Sequence, residues 1–505
     1  MKRLLPLLFL SLPFSAQDTI RVPADQPAIQ EAIAAANAGD LVLVSPGTYN
    51  EQIDFLGKAI TVRGEAGPGA TTIDSLGADE WFDFPCGPVV RMINAEGAGS
   101  VLEGFTVTGA SGSGLGDPGN SGVFCLDANP TLRDLVITGN SGSTGAGVFG
   151  SATLEGCRVE GNDARPYGEG GGLRGTFVVR NSIIANNRSG GIGGGVYSDG
   201  SSLIEDSIID GNIAGNGADG YTGGGYFGPG TLIRCQITNN QAHHYFSGGP
   251  PPFDELGTGV EGADAVIHCT IAFNSIVTGP GPGETSGGIK NVALLEGSIV
   301  FGNESNDISL SSAPTARYSI VGTGYTGTGV SSANPQFRDA PNGDFFLQPW
   351  SPAIDAGDPL GFPDPDGTEP DMGAFFFPQF PASRVLRNGN GVNLTTYGSI
   401  LDPVVGTTWV ATVDAASHGI GATMVSLLGF ADPLAPLAFP FGELLVDVSS
   451  ENAFVSTELV LGGQSVHTFP IPPDYSLGGL ELFTQGVVFG SGIALTNAVD
   501  LTVGL

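Results

Sequence analysis

The sequence predicts an all-β protein, a right-handed parallel β-helix solenoid with an N-terminal capping helix, followed by a β-sandwich domain. Glycine occurs 81 times in 505 residues, about twice its ordinary usage, as expected for many short strands joined by tight turns. Hydrophobic residues make up 41% of the chain, which is enough to form a core. A short segment recurs within residues 17–378 and is lost in residues 379–505, so we expect the solenoid in the first range and the sandwich in the second.

The N-terminus has the composition of a secretory signal peptide. Lys2 and Arg3 precede a short apolar run, and small residues lead to Ala16. That run is too short to span a bilayer, and the later apolar stretch 424–441 is interrupted by Pro and Asp. We therefore expect residues 1–16 to be removed, and the mature protein to be secreted or held at the cell envelope with no integral membrane span.

A short amphipathic helix is predicted next. Pro27 suits a helix start, Ile29 and Ile33 fall on one face, and Gly39 follows the end of the pattern. Such a helix would cover the open end of a solenoid.

Residues 17–378 carry the repeat that predicts the solenoid. In each copy an apolar residue, a second apolar residue and an Asn recur in fixed order, as in Leu154, Val159 and Asn162. Segments of this length cannot bury themselves, so they must stack on copies of themselves. The copies are 132–140, 154–162, 179–187, 204–212, 232–240, 266–274 and 295–303.

Stacking places equivalent residues of successive repeats on top of one another. We expect two apolar columns inside the solenoid and an Asn column at a turn, where Asn tolerates left-handed backbone angles and can bond to its counterpart one coil away. Asn187 and Asn303 match the glycosylation pattern but fall in this column, so we expect them to be structural. The apolar columns are Leu154, Val179, Ile204, Leu232, Val266 and Leu295, and Val159, Ile184, Ile209, Ile237, Ile271 and Val300.

A second recurring motif, Gly followed by an apolar residue, predicts a row of outward side chains. The residue after each pair should face outward because side chains alternate along a strand. Most of these residues are aromatic; stacked rings can bind sugar rings, and Arg or Lys can bind uronate carboxylates. The alternatives are that the aromatic pairs only stabilise the sheet, or that loops cover them. This row, the outer row, is Phe124, Phe149, Arg174, Tyr197, Phe227, Glu261 and Lys290.

The solenoid resembles the pectin-lyase-like family of secreted bacterial right-handed parallel β-helix proteins. The likeness covers roughly residues 18–378, and it is carried by the opening segments 20–33, 46–49 and 60–64 and the closing segment 347–358. It implies the fold, which hosts many functions. The chain lacks the Asp-pair and Gly-His-Gly signatures of polygalacturonase-type hydrolases and the Arg-x-Pro-x-x-Arg signature of common pectate lyases. No catalytic residue of the family therefore maps onto this sequence.

Residues 379–505 alternate apolar and polar residues between Pro and Gly turns, as in 408–413, which is typical of a β-sandwich. The segments 469–472, 480–485 and 495–499 resemble a C-terminal β domain found on many secreted planctomycete-type bacterial proteins. This resemblance implies no particular role.

The net charge of −33 argues against nucleic-acid binding, since phosphate recognition needs a basic surface. The G-x-S-x-G and H-E-x-x-H motifs of hydrolases and metalloproteases are missing from the sequence. A polysaccharide lyase needs a base beside the substrate carboxylate, and the candidates are Arg174, Lys290 and His243. His243 is expected in a long loop before Pro250, where simple solvation is the alternative.

Six carboxylates fall between Asp355 and Asp371, too many to lie close together without a cation or wide separation. The spacing of Asp364 and Asp366 before Gly367 is part of a calcium-loop pattern. We expect either a structural calcium ion held by Asp364, Asp366 and Asp371, or a solvated turn. Calcium is the one cofactor that the sequence suggests.

The chain has five cysteines, so at least one of them has no intramolecular partner. Cys235 and Cys269 hold equivalent positions in neighbouring repeats, close enough for a disulfide or for two stacked thiols. Cys86 and Cys125 are a second possible pair, which would leave Cys157 buried and alone.

These observations predict a secreted monomer that binds extracellular polysaccharide along the solenoid face, with or without cleaving it as a polysaccharide lyase or glycoside hydrolase. The alternative is a non-catalytic cell-surface adhesin or envelope structural protein that uses the solenoid as a rigid rod. The sequence leaves open whether the protein is an enzyme.

Overall fold

The computed structural model describes residues 17–76, 87–111, 120–215, 223–244, 256–278, 286–304, 306–309, 314–461, 463–473 and 477–504. The predicted signal peptide and Cys86 lie outside the described residues. The chain divides into two compact units, Met1–Phe362 with Glu369–Phe376, and Pro363–Thr368 with Phe377–Leu505. In the part of the chain that the structure describes, no helix is long and apolar enough to cross a bilayer.

The first unit is a parallel β-helix, as predicted. Each coil contributes short strands to stacks that we number 1 to 4 in chain order, and these strands pair in parallel with those one coil away. Stacks 1 and 2 share the long strands Val148–Glu155 and Leu173–Arg180, so together they form one 20-stranded sheet. Stack 3 has 11 strands and stack 4 has 5.

The strands of stacks 1 and 2 run along two faces of each coil. Besides the two shared strands, stack 1 contains Ile53–Asp54, Val90–Met92, Val123–Cys125, Val196–Ser198, Tyr226–Phe227, Leu256–Glu261, Ser286–Lys290 and Asn306–Ile308. Stack 2 also contains Thr19–Val22, Leu41–Val44, Thr61–Gly64, Val101–Glu103, Thr131–Arg133, Ser202–Glu205, Gly230–Ile233, Ala265–Ile267, Leu294–Glu296 and Thr315–Arg317.

Stacks 3 and 4 complete each coil. Stack 3 contains Gly47–Tyr49, Thr71–Asp74, Thr106–Thr108, Val136–Thr138, Arg158–Glu160, Ile183–Ala185, Ile208–Asp210, Gln236–Thr238, Thr270–Ala272, Ile299–Phe301 and Ile320–Val321. Stack 4 contains Asp163–Ala164, Arg188–Ser189, Ile213–Ala214, Gln241–His244 and Ser275–Thr278.

Both predicted apolar columns are confirmed. The column that begins at Leu154 pairs residue for residue through stack 2. The column that begins at Val159 does the same through stack 3. Every member of both columns is fully buried, so the core of the unit is a set of stacked like residues.

The Asn column forms a hydrogen-bonded ladder at the turn from stack 3 to stack 4. From Asn140 to Asn303, Nδ2 of each Asn donates to Oδ1 of the next at 2.9–3.0 Å. The same Oδ1 accepts the backbone N–H of the preceding Asn at 2.9–3.1 Å. Asp307 ends the ladder by accepting from Asn303 Nδ2 at 3.0 Å. Asn187 and Asn303 are buried, which fits the predicted structural role.

The capping helix spans Ile29–Ala35. Its first N–H groups donate to the Glu51 carboxylate at 2.9 Å, and the Lys58 ammonium donates to three carbonyls at its C-terminal end at 2.7–2.8 Å. Opposite charges thus complement the helix dipole at its two ends. Gly39 follows the helix with a φ of 94°.

The second unit is a β-sandwich, as predicted. In the strand Thr408–Asp414, Trp409, Ala411 and Val413 are buried. They share one core with Val425 of the other sheet. The five-stranded sheet has the order Ser383–Arg387, Ile493–Thr502, Glu481–Phe489, Met424–Phe430 and Asn452–Leu459, and the three-stranded sheet has the order Tyr397–Ser399, Thr408–Asp414 and Gln464–Pro470.

Short elements complete the two units. The first unit also contains the antiparallel pair Phe337–Asp339 and Asp344–Leu347, joined by the 3-10 turn Ala340–Asn342. In the second unit Pro433–Phe439 pairs with Gly442–Val446, and Ala416–His418 forms a 3-10 turn.

Candidate functional site

The outer row lies on stack 1 in unbroken register. Its members pair one after another across neighbouring strands from Phe124 to Lys290. The same column continues toward the N-terminus through Arg91 and Asp54. Sequence reasoning missed these two because their strands lack the preceding Gly motif.

Aromatic rings and one guanidinium form the stacked centre of the row. Phe124 stacks on Phe149 with ring centroids 5.3 Å apart, and Tyr197 stacks on Phe227 at 5.5 Å. Arg174 lies between the two pairs, with Cζ 5.6 Å from the Phe149 centroid and 5.1 Å from the Tyr197 centroid. Cation–π contacts of this kind hold the side chains parallel to one another.

The row is only partly accessible. Phe149, Arg174, Tyr197 and Phe227 are half-buried. Phe124 is 8% exposed and Glu261 is 6% exposed, so these two keep the register of the row but are not solvated as expected. The Phe149 ring stacks on Phe124, and the Glu261 carboxylate contacts the N–H of Gly257 in its own strand and Lys290 in the next.

Both predicted cations of the row already have carboxylate partners. Arg174 Nε donates to Glu169 at 3.1 Å. Lys290 Nζ lies 3.3 Å from Glu261 Oε1, and these two side chains are 12% and 8% exposed. In this structure a uronate carboxylate would have to compete with Glu169 for Arg174 and with Glu261 for Lys290.

A groove of about 650 Å³ adjoins the row. Phe149, Arg174 and Thr176 line it from the strands of stack 1, and the turns 126–129 and 199–201 line it from either side along the chain. Burial raises the pKa of Tyr197 in the same row, so its hydroxyl stays protonated at neutral pH. At this groove the half-buried row residues Phe149 and Arg174 border a concave surface.

Three carboxylates line this groove. Glu96 is 1% exposed, and its oxygens accept backbone N–H groups from Gly57 at 2.8 Å and Asn94 at 2.7 Å. Asp127 and Asp199 are exposed. Glu96 therefore anchors the chain locally, whereas Asp127 and Asp199 are open to solvent; Asp199 Oδ1 also accepts the Thr176 hydroxyl at 3.4 Å. Sequence reasoning missed both because they lie in turns that do not repeat between coils.

His243 lies apart from the row. It belongs to the strand Gln241–His244 of stack 4 and pairs with Val277, whereas a loop was predicted. Burial lowers its pKa, and its Nε2 is buried without a hydrogen-bond partner among the described residues. Stack 4 pairs as a sheet of its own, so His243 does not share the strand register of the outer row.

The predicted calcium ligands are engaged by the backbone. Asp371 is buried, and its Oδ1 accepts the N–H of Asp355 at 2.7 Å. Asp366 Oδ2 accepts the N–H of Gln379 at 2.6 Å. Across the described ranges no three His, Cys, Asp or Glu side chains are grouped so that they could hold a metal ion. Calcium binding by Asp364, Asp366 and Asp371 therefore rests on the sequence alone.

The cysteines form part of the solenoid interior. Cys125, Cys157, Cys235 and Cys269 are buried free thiols. The N–H of Cys235 lies 3.4 Å from Cys269 Sγ, as in the stacked-thiol alternative. The pair predicted for Cys125 involves Cys86, which the structure does not describe.

Comparison with known proteins does not assign this chain to a family. No family model matches the sequence, and no curated protein matches it. A solved structure of a pectin methylesterase mutant in complex with a hexasaccharide aligns with 45% of this chain, and the alignment covers 80% of the chain in that structure. The sequence identity is 14% and the TM-score is 0.26. We draw nothing about activity from so low a TM-score.

Proposed function

We propose that the protein binds an extracellular polysaccharide along the outer row and the adjoining groove. The proposal is carried by the continuous stack of Phe149, Arg174, Tyr197 and Phe227 beside a groove of about 650 Å³. Parallel strands are spaced about 4.8 Å apart, so these four residues span roughly 14 Å. A linear array of that length suits consecutive units of a polymer better than a single sugar.

The binding test uses two variants of the row. Tyr197→Ala and Phe227→Ala each remove a ring from the stack, and we expect retention on immobilised or gel-embedded polysaccharide to weaken by roughly tenfold, as loss of one stacked ring would cost about 1.5 kcal/mol. Phe362→Ala is the matched control, because Phe362 is 95% exposed and lies outside the row. Unchanged retention by both row variants, with unchanged melting curves, would contradict the proposal.

A glycoside hydrolase is the second candidate function, since the exposed acids Asp127 and Asp199 line one groove and glycoside hydrolysis uses two carboxylates that flank the scissile bond. The strands that precede these two acids lie three strand spacings apart, about 14 Å, whereas the two carboxylates of a hydrolase are separated by roughly 5–9.5 Å, so the pair suits hydrolysis only if their side chains turn toward each other. A lyase has less support, since Arg174 and Lys290 are ion-paired and His243 lies in another stack. Release of new reducing ends by the wild type, lost in Asp199→Asn, would favour hydrolysis; unsaturated ends, detected by ultraviolet absorbance, would favour a lyase.

A cell-surface adhesin or envelope structural protein that uses the solenoid as a rigid rod is the non-catalytic alternative. It predicts that the protein releases neither kind of end, whether or not it retains a polysaccharide. Secretion is part of both proposals and rests on the predicted signal peptide. Detection of the mature protein outside cells, starting near residue 17, is the corresponding test.

A further inference from the structure

We infer that the groove selects a polysaccharide without carboxylate groups and rejects uronate polymers. This inference rests on the proposed function and adds the chemical class of the polymer. It is carried by the charges of the groove rather than by its aromatic residues.

The described side chains that line the groove carry an excess of negative charge. Glu96, Asp127 and Asp199 are acidic, whereas Arg174 is the one basic residue among them. Arg174 is also held by Glu169, whose Oε2 lies 3.1 Å from both Nε and Nη2. A uronate carboxylate that entered the groove would therefore meet like charges and a guanidinium that is already neutralised.

The two lysines after residue 16 are engaged elsewhere. Lys290 is paired with Glu261 and nearly buried. Lys58 caps the helix Ile29–Ala35 through three carbonyl oxygens. The chain as a whole carries a net charge of −33, which repels a polyanion at long range when the ionic strength is low.

An uncharged sugar is not repelled by the acidic residues of the groove. Its C–H faces can pack on Phe149 and Tyr197, and its hydroxyl groups can donate to the exposed carboxylates of Asp127 and Asp199. Hydrogen bonds to ionised acceptors are stronger than those between neutral groups. The acidic residues that exclude a uronate are thus suitable acceptors for a neutral glycan.

The test compares polymers of opposite charge class on the full mature chain. Affinity electrophoresis at low ionic strength would use laminarin, galactomannan and xyloglucan as neutral probes, and polygalacturonate and alginate as uronate probes. We expect at least one neutral polymer to retard the protein, and both uronates to bind on the order of tenfold more weakly. Added salt should narrow this difference, because it screens the repulsion.

A double variant isolates the groove charges. Asp127→Asn combined with Asp199→Asn should strengthen uronate binding on the order of tenfold and weaken binding of the neutral polymer, because its hydroxyl groups lose two ionised acceptors. Asp127 has a φ of 52°, a conformation that Asn tolerates. The control combines Asp18→Asn with Asp339→Asn, which removes the same charge at two exposed sites outside the groove.

The outcomes separate this inference from the proposed function. Tighter binding of a uronate than of every neutral polymer at low salt would overturn the inference and leave polysaccharide binding intact. An equal gain in uronate binding by the control variant would also overturn it, since the effect would then belong to net charge. Retention by none of the five polymers would count against the proposed function itself.

Discussion

At the residue scale, the Asn ladder shows that one type of side chain can supply the same hydrogen bonds in successive coils. Each interior Asn accepts at Oδ1 from the preceding Asn and donates from Nδ2 to the next, and Asn212 also donates to the carbonyl of Ile184 at 2.9 Å. These groups are buried, so a missing partner would leave a polar atom without water. The ladder therefore fixes both the turn and the distance between coils.

Loss of one rung should be costly. Asn212→Ala removes the Oδ1 that accepts both the backbone N–H and Nδ2 of Asn187, and it removes one of the two donors to Oδ1 of Asn240. We therefore expect the free energy of unfolding to fall by about 2–4 kcal/mol. Urea unfolding followed by circular dichroism measures the change. Asn342→Ala is the control, because Asn342 is exposed and donates to the nearby Asp339. Similar losses in the two variants would show that the ladder adds no stability.

The last rung predicts a pH dependence. Burial raises the pKa of Asp307, whose usual value is near 3.8. The folded protein then holds this proton more tightly than the unfolded chain, so the stability from Asp307 is complete below the unfolded pKa and is lost as the pH rises through the folded pKa. We expect the unfolding free energy of the wild type, minus that of Asp307→Asn, to decrease as the pH rises above the usual carboxyl pKa and through the raised pKa of Asp307. A difference that is constant or grows with pH would contradict this assignment.

At the element scale, stack 2 carries an outward column of alternating charge. Glu103, Arg133, Glu155, Arg180 and Glu205 pair one after another across its strands. Arg133 Nη2 lies 3.0 Å from Glu155, and Arg180 Nε lies 2.8 Å from Glu205. Opposite charges across neighbouring strands stabilise their pairing, and like charges oppose it.

Reversal of one charge should weaken this column. Arg180→Glu would place three acidic residues on consecutive strands, so we expect a loss of about 1 kcal/mol at low salt, limited by the partial exposure of the pair. The loss should shrink in high salt, as the charges are screened. Arg180→Gln separates the lost ion pair from the new repulsion. A loss independent of salt would indicate a packing effect of the Arg180 stem instead.

Much of the fold follows from the sequence because register follows from the repeat. Once Val159 and Ile184 are aligned, every other position in the coil is aligned too, so the inner columns, the Asn ladder and the order of the outer row could be predicted. The alternation of Arg133 and Glu155 was visible in the same repeats. This alternation predicts ion pairs between coils only when neighbouring copies are known to be in contact.

The groove could not be predicted in this way. Asp127 and Asp199 lie in turns whose length and composition change from coil to coil, so no repeat places them. The burial of Phe124 and Glu261 depends on how the side chains of their row neighbours Phe149 and Lys290 are oriented, which the repeat does not specify. The strand position of His243 contradicted its polar surroundings in the sequence. Sites built by irregular turns on a regular solenoid require coordinates.

At the scale of the whole molecule, charge and stability are linked. The chain has 51 acidic residues and 18 Lys and Arg residues, and many of the described basic residues lie in ion pairs. Repulsion among the remaining carboxylates destabilises the compact state. The protein should therefore respond to ionic strength as a whole, whatever it binds.

Salt should raise the melting temperature. We expect an increase of a few degrees between low and moderate NaCl, because screening relieves the repulsion. Calcium at matched ionic strength tests the remaining prediction for Asp364, Asp366 and Asp371: a rise beyond that given by magnesium, reversed by chelator, would support a bound ion. Equal effects of the two cations would remove the calcium prediction, and no response to NaCl would contradict the repulsion argument.

The alternating column on stack 2 also restricts how many coils can be gained or lost, because an odd number would place like charges on neighbouring strands. Between Glu103 and Glu205, deletion of a single coil would bring acid against acid or base against base, whereas deletion of two adjacent coils would keep every contact between opposites. Solenoids grow and shrink by gain or loss of whole repeats. This stretch should therefore accept insertions and deletions in even numbers of coils and resist odd ones.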